Sequence, residues 1–458
     1  MSAILVSTSP QRPDDVVSRE PVTDPAEVAA AAERGRSAGR SWWAQGAFAR
    51  SAALDAVGRA LGDNAAELED LIVREVGKPR TEARGEVARA RSIVAYYAQA
   101  ALLRTGDVLP PSGPGMLLTE RRPLGVVGLI TPWNFPAAIP LWKSVPALAA
   151  GNAVVLKPST DGMAVARLLG EILGKALPEG LFQLVPGGRD TATALIDTVD
   201  GVSFTGSTEV GRQVSARASA RGIPVQAEMG GQNAAIVLPD APVEQTAQLL
   251  AGAAMGFAGQ KCTSTRRIVV VGEPEPLTGA LLAAVGDLEV GDPALTSTVV
   301  GPVIGAGAAA AVLEAADLVR VAGGQVVTGR EAPAAGSFVS PVVVRGVPAE
   351  HEVNQRETFG PIVSVIPAGS VADAVRIADG VEQGLVTSVH GRDLGPLLDV
   401  AREVTTGMIK INAPTTGVDF HAPFGGEKDS SSGPREQGLA ALDFYSSTRT
   451  ITLAPPPA

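Results

Sequence analysis

Cys262 is the only cysteine in the chain. It stands in Gly259-Gln260-Lys261-Cys262-Thr263, between an apolar helical run and the strand-like Arg267–Val271. A lone cysteine commonly packs as a small hydrophobe. Here the flanking glycine and small polar residues point to a loop, and Lys261 supplies a cation that favours the nucleophilic thiolate. Glu228, in Gln226-Ala227-Glu228-Met229-Gly230-Gly231, falls between a strand-like run and a glycine pair. It is either a surface turn residue or a carboxylate at a strand end, where it could act as a general base. Asn134 lies in Thr131-Pro132-Trp133-Asn134-Phe135-Pro136, a loop bracketed by prolines. Its amide N–H could face a developing oxyanion, with Trp133 and Phe135 as apolar walls.

Two further segments suit a phosphate-bearing ligand. Phe204-Thr205-Gly206-Ser207-Thr208-Glu209-Val210-Gly211 follows a strand and opens a helix. The free N–H groups and positive dipole end of a helix N-terminus attract phosphate. The spacing is not G-x-G-x-x-G, so an ordinary strand-to-helix turn remains open. Leu156-Lys157-Pro158-Ser159-Thr160 ends a strand, where ligands of doubly wound sheets bind. Lys157 there could reach ribose hydroxyls or phosphate, or point into solvent.

The elements that must position these residues alternate along the chain. Asp24-Pro25 reads as a helix start. Helices are expected over Val28–Ala38, Ala47–Leu61, Ala65–Glu75 and Thr81–Leu103. Strands are expected at Met116–Arg122, Gly125–Thr131, Ala153–Lys157, Phe182–Val185 and Gly201–Phe204, with helices between the later ones. A second alternating set begins with the strand Asn233–Val237 and the helix Val243–Phe257. It includes Arg267–Val271, Ala308–Ala322, Ile362–Pro367, Val371–Asp379 and Leu394–Thr405. Strand–helix alternation of this kind predicts an α/β fold with doubly wound sheets. Ser447–Leu453 reads as a final strand.

Composition narrows the classes. Hydrophobic residues make up 45% of the 458 residues and charged residues 19%, which excludes a disordered chain. The 38 Lys+Arg against 48 Asp+Glu give a net charge of -10, which argues against nucleic acid or an anionic membrane as partner. No apolar run approaches the roughly 20 residues of a membrane-spanning helix, and no signal peptide is read. One cysteine suits a cytoplasmic location. His351, His390 and His421 are too scattered to predict a metal site.

Taken together, TPWNFP, PALAAGNAVVLKPS, FTGSTEVGR, EMGGQNAAIV, GQKCTSTRR, ETFGPI and PFGGEK resemble the NAD(P)-dependent aldehyde dehydrogenase superfamily. They run in family order from about Thr131 to Lys428. The resemblance implies two Rossmann-type α/β domains plus a small β oligomerisation ribbon. The expected division is 1–103 and 124–229 for cofactor binding, 230–435 for catalysis, and 104–123 with 436–458 for the ribbon. It places the nucleophile on Cys262, the general base on Glu228 and the oxyanion donor on Asn134. Thr131, Pro132, Trp133, Lys157, Ser159, Thr160, Gly206, Ser207, Glu357 and Phe359 would bind the cofactor. Lys157 would hold the adenosine ribose, and Glu357 with Phe359 the nicotinamide ribose. A homodimer or homotetramer is expected.

The stretch KINAPTTGVDFHAPFGG, with SSSGPREQG and GFAGQKCTSTRR, resembles the 2-oxoglutarate semialdehyde (2,5-dioxopentanoate) dehydrogenase branch. Succinate and glutamate semialdehyde are alternatives. No arginine is singled out for a substrate carboxylate; Arg122, Arg266 and Arg267 are candidates. Many NAD-preferring members carry Glu three residues after the lysine, where this chain has Thr160. A carboxylate there would repel a 2′-phosphate, so NADP is expected to be tolerated or preferred over NAD. The short N-terminus predicts that leading strands are missing or abbreviated. Two rival activities remain: a cysteine-nucleophile hydrolase, which needs no nicotinamide, and an acylating enzyme forming a CoA thioester, which often lacks the base that Glu228 supplies.

Overall fold

The computed structural model describes residues 3–103 and 105–456. Two leading strands are present, correcting the sequence expectation: β1 (Ile4–Ser9) and β2 (Arg12–Pro21) form an antiparallel hairpin. The hairpin is mostly polar and half exposed, so it lacks the apolar alternation that would have marked it. Helix α1 (Pro25–Ala44) starts where Asp24 accepts from the Glu27 N–H with Pro25 in the first turn. It is followed by α2 (Gly46–Asp63), α3 (Ala65–Val76) and α4 (Arg80–Ala100). Gly77 closes α3 with φ 67, the left-handed conformation that lets an N–H return to the last turn.

Strands β3 (Val108–Leu109) and β4 (Met116–Pro123) precede the first large sheet. That sheet is built from β5 (Val126–Ile130), α5 (Ala138–Ala149), β6 (Ala153–Lys157), α6 (Met163–Ala176), β7 (Phe182–Leu184), α7 (Arg189–Thr198), β8 (Gly201–Thr205), α8 (Thr208–Ala220) and β9 (Val225–Glu228). The five strands are parallel, in the order β9-β8-β5-β6-β7. Every residue of β5 and β6 is buried, as strands covered by helices on both faces require. Strand order reverses between β5 and β8, and ligands of such sheets bind beyond the strand carboxyl ends at that point.

The second sheet uses β10 (Ala234–Val237), α9 (Val243–Met255), β11 (Arg267–Val271), α10 (Glu275–Gly286), α11 (Ala306–Val321), β12 (Gln325–Thr328), β13 (Val342–Arg345), α12 (Glu352–Gln355), β14 (Ile362–Ala368), α13 (Val371–Asp379), β15 (Gln383–Gly384), β16 (Val386–His390), α14 (Leu394–Glu403) and β17 (Met408–Ile411). Apart from the small β15, its strands run in the order β12-β13-β14-β11-β10-β16-β17, all parallel except β12. Alternate residues of β10 and β11 enter two different cores, one on each face: Ala235, Val237, Ile268 and Val270 against Ala234, Ile236, Val269 and Val271. The helix expected to reach Phe257 stops at Met255, because Phe257 and Ala258 are left-handed. Helix α10 and strands β12, β13, β16 and β17 went unread in the sequence.

The chain then returns to the first sheet. After β18 (Glu427–Lys428), β19 (Ser431–Ser432) pairs antiparallel with β9, so the return begins inside the 230–435 segment. Helix α15 (Gly438–Phe444) buries Ala441, Leu442 and Phe444 in the first sheet's core. Finally β20 (Ser446–Leu453) pairs along the whole of β4, which also pairs with β3.

A buried ion pair ties the helical region to this framework. Lys78 and Glu86 bond each other and are fully buried. Glu86 Oε1 also accepts from the N–H groups of Ala137 (2.9 Å) and Ala138 (3.0 Å), at the start of α5. Lys78 Nζ lies over the rings of Phe135 (3.7 Å) and Phe257 (4.6 Å). Removing one partner strands the other charge. We predict that Glu86→Ala lowers unfolding free energy by about 3–5 kcal/mol, read from the urea midpoint. A loss below about 1 kcal/mol would show that the pair holds nothing essential.

Candidate active site

The two sheets meet end to side-chain end at one place. Glu228 ends β9, Thr131 follows β5 and Gly206 follows β8, all at carboxyl ends of the first sheet. Cys262 lies five residues before β11, and Glu357 five residues before β14, at amino ends of the second. Between them is a cavity of about 340 Å³. Pro132, Trp133, Asn134, Gly206, Ser207, Glu228, Cys262, Glu357 and Phe359 all line it. So do Ile139, Trp142, Met229 and Phe424, which the sequence reading did not single out. Lys157 instead lines a second groove, of about 820 Å³, with Ile130, Gly188, Arg189 and the exposed flank of α8. Ser159 and Thr160 line neither space; they are half-buried at a single 3-10 turn just past β6. Thr131 is buried, its N–H donating to the Lys157 carbonyl (3.2 Å).

The loop carrying Cys262 is held by side chains that grip its carbonyls. Phe257 (φ 53), Ala258 (φ 51) and Gly259 (φ 67) are consecutive left-handed residues. A Cβ on Gly259 would sit 2.1 Å from the Gly360 carbonyl, so only glycine is tolerated there. Asn134 Nδ2 donates to the Gln260 carbonyl (3.0 Å), leaving its second amide N–H for another acceptor. Asn233 Nδ2 donates to the carbonyls of Cys262 (2.7 Å) and Ser264 (2.8 Å). Arg266 donates to those of Gly259 (2.6 Å) and Gly360 (2.8 Å). Lys261 pairs with Glu82 (2.7 Å) and so turns toward α4.

Glu228 is buried, with Oε2 accepting from Ser431 Oγ (2.6 Å) and Oε1 free of protein donors. Burial, then the Glu436 carboxylate, push its pKa well above the usual carboxylate range, against Ser431, Lys143 and Arg435. Glu436 is itself bonded by Lys143, by Ser203 Oγ (3.1 Å) and by Trp142 Nε1 (2.8 Å). Burial likewise pushes Glu357 to about 7, with Arg266 and the Gly231 N–H opposing. Arg266 stands 3.8 Å from Glu357 and over the Phe359 ring (5.6 Å). Gly230 allows Glu357 its position, since a Cβ there would meet Oε2 at 2.1 Å.

These residues suit a nicotinamide dinucleotide. Glu357 Oε1 and Thr205 Oγ1 are buried without a protein hydrogen bond, in residues that line the same cavity as Gly206 and Ser207. Ser207 caps α8 without a side-chain bond to the helix, leaving first-turn N–H groups for phosphate. Lys157 Nζ bonds only the carbonyls of Pro158 (3.0 Å) and Gly187 (2.9 Å), and burial lowers its pKa to about 8. Its third proton remains for a hydroxyl. Among the described residues no cluster of His, Cys, Asp or Glu could hold a metal ion.

None of the three arginine candidates for a substrate carboxylate lines the cavity. Arg266 grips loop carbonyls, and Arg267 donates to those of Gln232, Ile377 and Ala378. Arg122 is exposed on β4, beside the first-sheet groove of Trp43 and Asp200.

Cys262 Sγ carries the opposite demand. Burial first, then Glu357 and Glu228, push its thiol up to about 12, with Arg266 pulling it down. A neighbouring anion disfavours the thiolate, so neutralising one must lower the thiol pKa. In cofactor-free protein, Glu357→Gln is therefore expected to speed iodoacetamide alkylation of Cys262 at pH 9 by about tenfold. A rate at or below wild type would mean that Glu357 does not govern the thiol.

Comparison with known proteins agrees with this arrangement. Residues 3–451 match the model of the aldehyde dehydrogenase family. The chain is 38% identical over 400 residues to an alpha-ketoglutaric semialdehyde dehydrogenase of Bacillus subtilis, covering 85% of this chain and 82% of that one. It is 36% identical over 456 residues to an alpha-ketoglutarate semialdehyde dehydrogenase of Haloferax volcanii, covering 97% and 94%. Among solved structures, an NADP-dependent glyceraldehyde-3-phosphate dehydrogenase from Bacillus halodurans, complexed with NADP, superposes with TM-score 0.94 at 29% identity, covering 99% and 96%. A match over nearly the whole length, with the cysteine, glutamate and asparagine around one cavity, settles the assignment: the chain belongs to the aldehyde dehydrogenase family.

Proposed function

We propose that this enzyme oxidises a small acidic semialdehyde, 2-oxoglutarate semialdehyde first among them, to the carboxylic acid with NADP or NAD. One observation carries the reaction: Cys262, Glu228 and Asn134 line the same cavity as Gly206, Ser207 and Glu357. The two semialdehyde dehydrogenase relatives support the substrate.

The residues divide the work. Loss of the thiol proton lets Cys262 Sγ bond to the aldehyde carbon, and the carbonyl electron pair moves to oxygen. The second N–H of Asn134 and the Cys262 backbone N–H stabilise that oxyanion. As the carbonyl re-forms, the C–H bond at that carbon breaks and its electron pair leaves with the hydrogen as hydride, which a nicotinamide held by these residues would accept. The resulting thioester is hydrolysed when Glu228 takes a proton from water as its oxygen attacks the carbonyl carbon. The C–S bond then breaks, freeing the acid and Cys262. Lys157 holds the adenosine ribose and Glu357 the nicotinamide ribose, with Phe359 and Trp133 in edge contact (5.8 Å) as an apolar wall.

Thr160 places no carboxylate beside Lys157, which supports use of NADP. The division into cofactor, catalytic and ribbon regions follows the two sheets and the β20-β4-β3 sheet. The last exposes Val108, Leu109, Met116 and Leu453, which supports a homodimer or homotetramer built through it. The single cysteine supports a cytoplasmic setting. Among the described residues, no helix is long and apolar enough to cross a membrane.

The test is reduced-nicotinamide absorbance with a panel of aldehydes, NAD and NADP in parallel. Cys262→Ala is expected to lose turnover by on the order of 10³ or more. Glu228→Gln is expected to keep a burst of reduced cofactor while steady turnover falls by about 10²–10⁴. Folded protein that reduces neither cofactor with any aldehyde would sink the reading. Thr160→Glu is expected to lower kcat/KM for NADP by at least about tenfold relative to NAD, by placing an anion beside the 2′-phosphate. An unchanged ratio would place cofactor choice elsewhere.

A further inference from the structure

Outside the Cys262 cavity, Glu75 is a fully buried carboxylate to which no lysine or arginine bonds among the described residues. Its partners are three donors from two other elements. Oε1 accepts from Ser7 Oγ on β1 (2.8 Å) and from the Ala164 N–H (2.8 Å), and Oε2 accepts from the Val165 N–H (2.9 Å). The last two are first-turn N–H groups of α6, whose own N-cap, Gly162, has no side chain to offer. Glu75 therefore caps α6 from another helix. A neutral acceptor could do that without the cost of burying a charge, so the carboxylate calls for a further reason.

The segment it caps leads to the cofactor groove. Between Lys157 and α6 lie Pro158, Ser159 and the 3-10 turn Thr160–Gly162. That turn packs closely on the Asn134 loop: a Cβ on Gly162 would meet Pro136 Cβ at 3.2 Å and Trp133 Cα at 3.5 Å. The leading hairpin reaches the other flank of Lys157 as well. Just after β2, the Thr23 N–H donates to the Pro186 carbonyl (2.8 Å), and the Thr23 carbonyl accepts from Thr191 Oγ1 (3.1 Å). Between those partners lies Gly187, whose carbonyl accepts from Lys157 Nζ (2.9 Å). A Cβ on Gly187 would fall 1.9 Å from Thr191 Oγ1. Gln11 donates to the Val73 carbonyl (3.0 Å), Arg74 pairs with Asp15 (2.6 Å) and Arg167 with Glu20 (3.3 Å), which fastens the hairpin to α3 and α6. One polar hairpin thus touches both segments that flank Lys157 in its groove of about 820 Å³.

We propose that the leading hairpin and the Glu75 carboxylate form a clasp that sets the adenosine end of the cofactor groove, so that the grip on the cofactor, rather than the chemistry, depends on them. The proposal rests on the reading above that Lys157 holds the adenosine ribose. Glu75 is its positioning residue. Ser7 and Ala164 stand 68 and 89 residues from Glu75, so no local motif contains the clasp.

The charge makes the clasp sensitive to pH. Burial pushes the Glu75 carboxyl up to about 7; the hydrogen bonds from Ala164, Val165 and Ser7 oppose this, and the charge of Asp161 on the 3-10 turn adds to it. On its own helix Arg74 is paired with Asp15 of β2, and α4 brings Arg80 and Arg84 to α3, where they pair with Asp70 and Glu69. Neither β1 nor the first turn of α6 brings a titratable side chain. The three bonds are charge-assisted while Glu75 is ionised and weaken when it takes a proton. The clasp is therefore tight above about pH 7 and loosens below it.

The test measures the affinity of the full chain for ADP-ribose, which carries the adenosine end of the cofactor without the nicotinamide, by calorimetry. Glu75→Gln is expected to weaken binding about tenfold at about pH 8 and to converge with wild type, within about twofold, at about pH 5.5. With saturating cofactor its kcat should stay within about twofold of wild type while KM for the cofactor rises about tenfold. Ser7→Ala, which removes the hairpin's bond and leaves the α6 cap, should give a smaller loss with the same pH dependence. A loss of equal size at both pH values would mean that any cap serves, and would overturn the proposal. If Lys157→Ala leaves ADP-ribose affinity unchanged, the reading of Lys157 fails and the clasp falls with it. If Lys157→Ala weakens binding while folded Glu75→Gln binds like wild type at both pH values, that reading stands and the clasp alone is overturned.

Discussion

The backbone from Phe257 to Gly259 must turn left-handed three times in succession to deliver Cys262 to the cavity. At the two non-glycine positions that turn costs roughly 1–2 kcal/mol each. It persists because the loop's carbonyls are claimed from several directions. Asn134 reaches it from the first sheet, Asn233 from the entry to β10, and Arg266 from the entry to β11. Asn134, the oxyanion donor of the proposed mechanism, is thus also a strut for the Cys262 loop. Lys78 lies against Phe257 at the loop's start, so the buried Lys78–Glu86 pair connects the helical region to it as well. The Asn134 and Lys78 contacts cross between segments remote in sequence, so the site can form only when both sheets and the helical region have come together.

The same burial that fixes the geometry sets the electrostatics. Glu228, Glu357 and Cys262 share one small space; burial disfavours the charged form of each, and the two carboxylates further disfavour the thiolate. Glu228 is further restrained by Glu436, although Lys143 compensates that charge. The resting site therefore works against the charged forms of both Cys262 and Glu228. A positive charge entering the cavity shifts both equilibria toward the reactive forms.

Most of the regular fold was legible in the sequence because the buried strands and amphipathic helices carry their own signals. Ala153–Lys157, Arg267–Val271 and Val371–Asp379 begin and end where the pattern places them. The leading hairpin was not legible because polar residues stand on both of its faces, and β16 and β17 are only five and four residues long, too short to carry a clear period. The return of β19 and α15 to the first sheet is a matter of long-range pairing, which no local pattern contains. Of the site, the residues in strand-end motifs were legible, since glycine, proline and a reactive side chain cluster there. Ile139 and Trp142 on α5, and Phe424 near the chain's end, read as ordinary core until the cavity shows that they line it.

This contrast separates two kinds of functional residue. Those that perform the reaction sit where strands end, because only there do loops from adjacent elements converge. Those that sense the rest of the substrate need only reach the same cavity from behind, and any helix packed against α5 can supply them. Helix α5 itself does so through Ile139 and Trp142, which line the cavity while the whole helix is buried. A wall that packs the framework and a wall that selects the substrate are then the same helix face. Changing the aldehyde accepted would require altering residues that also bear on stability. That coupling follows from building a small cavity at the junction of three packed regions.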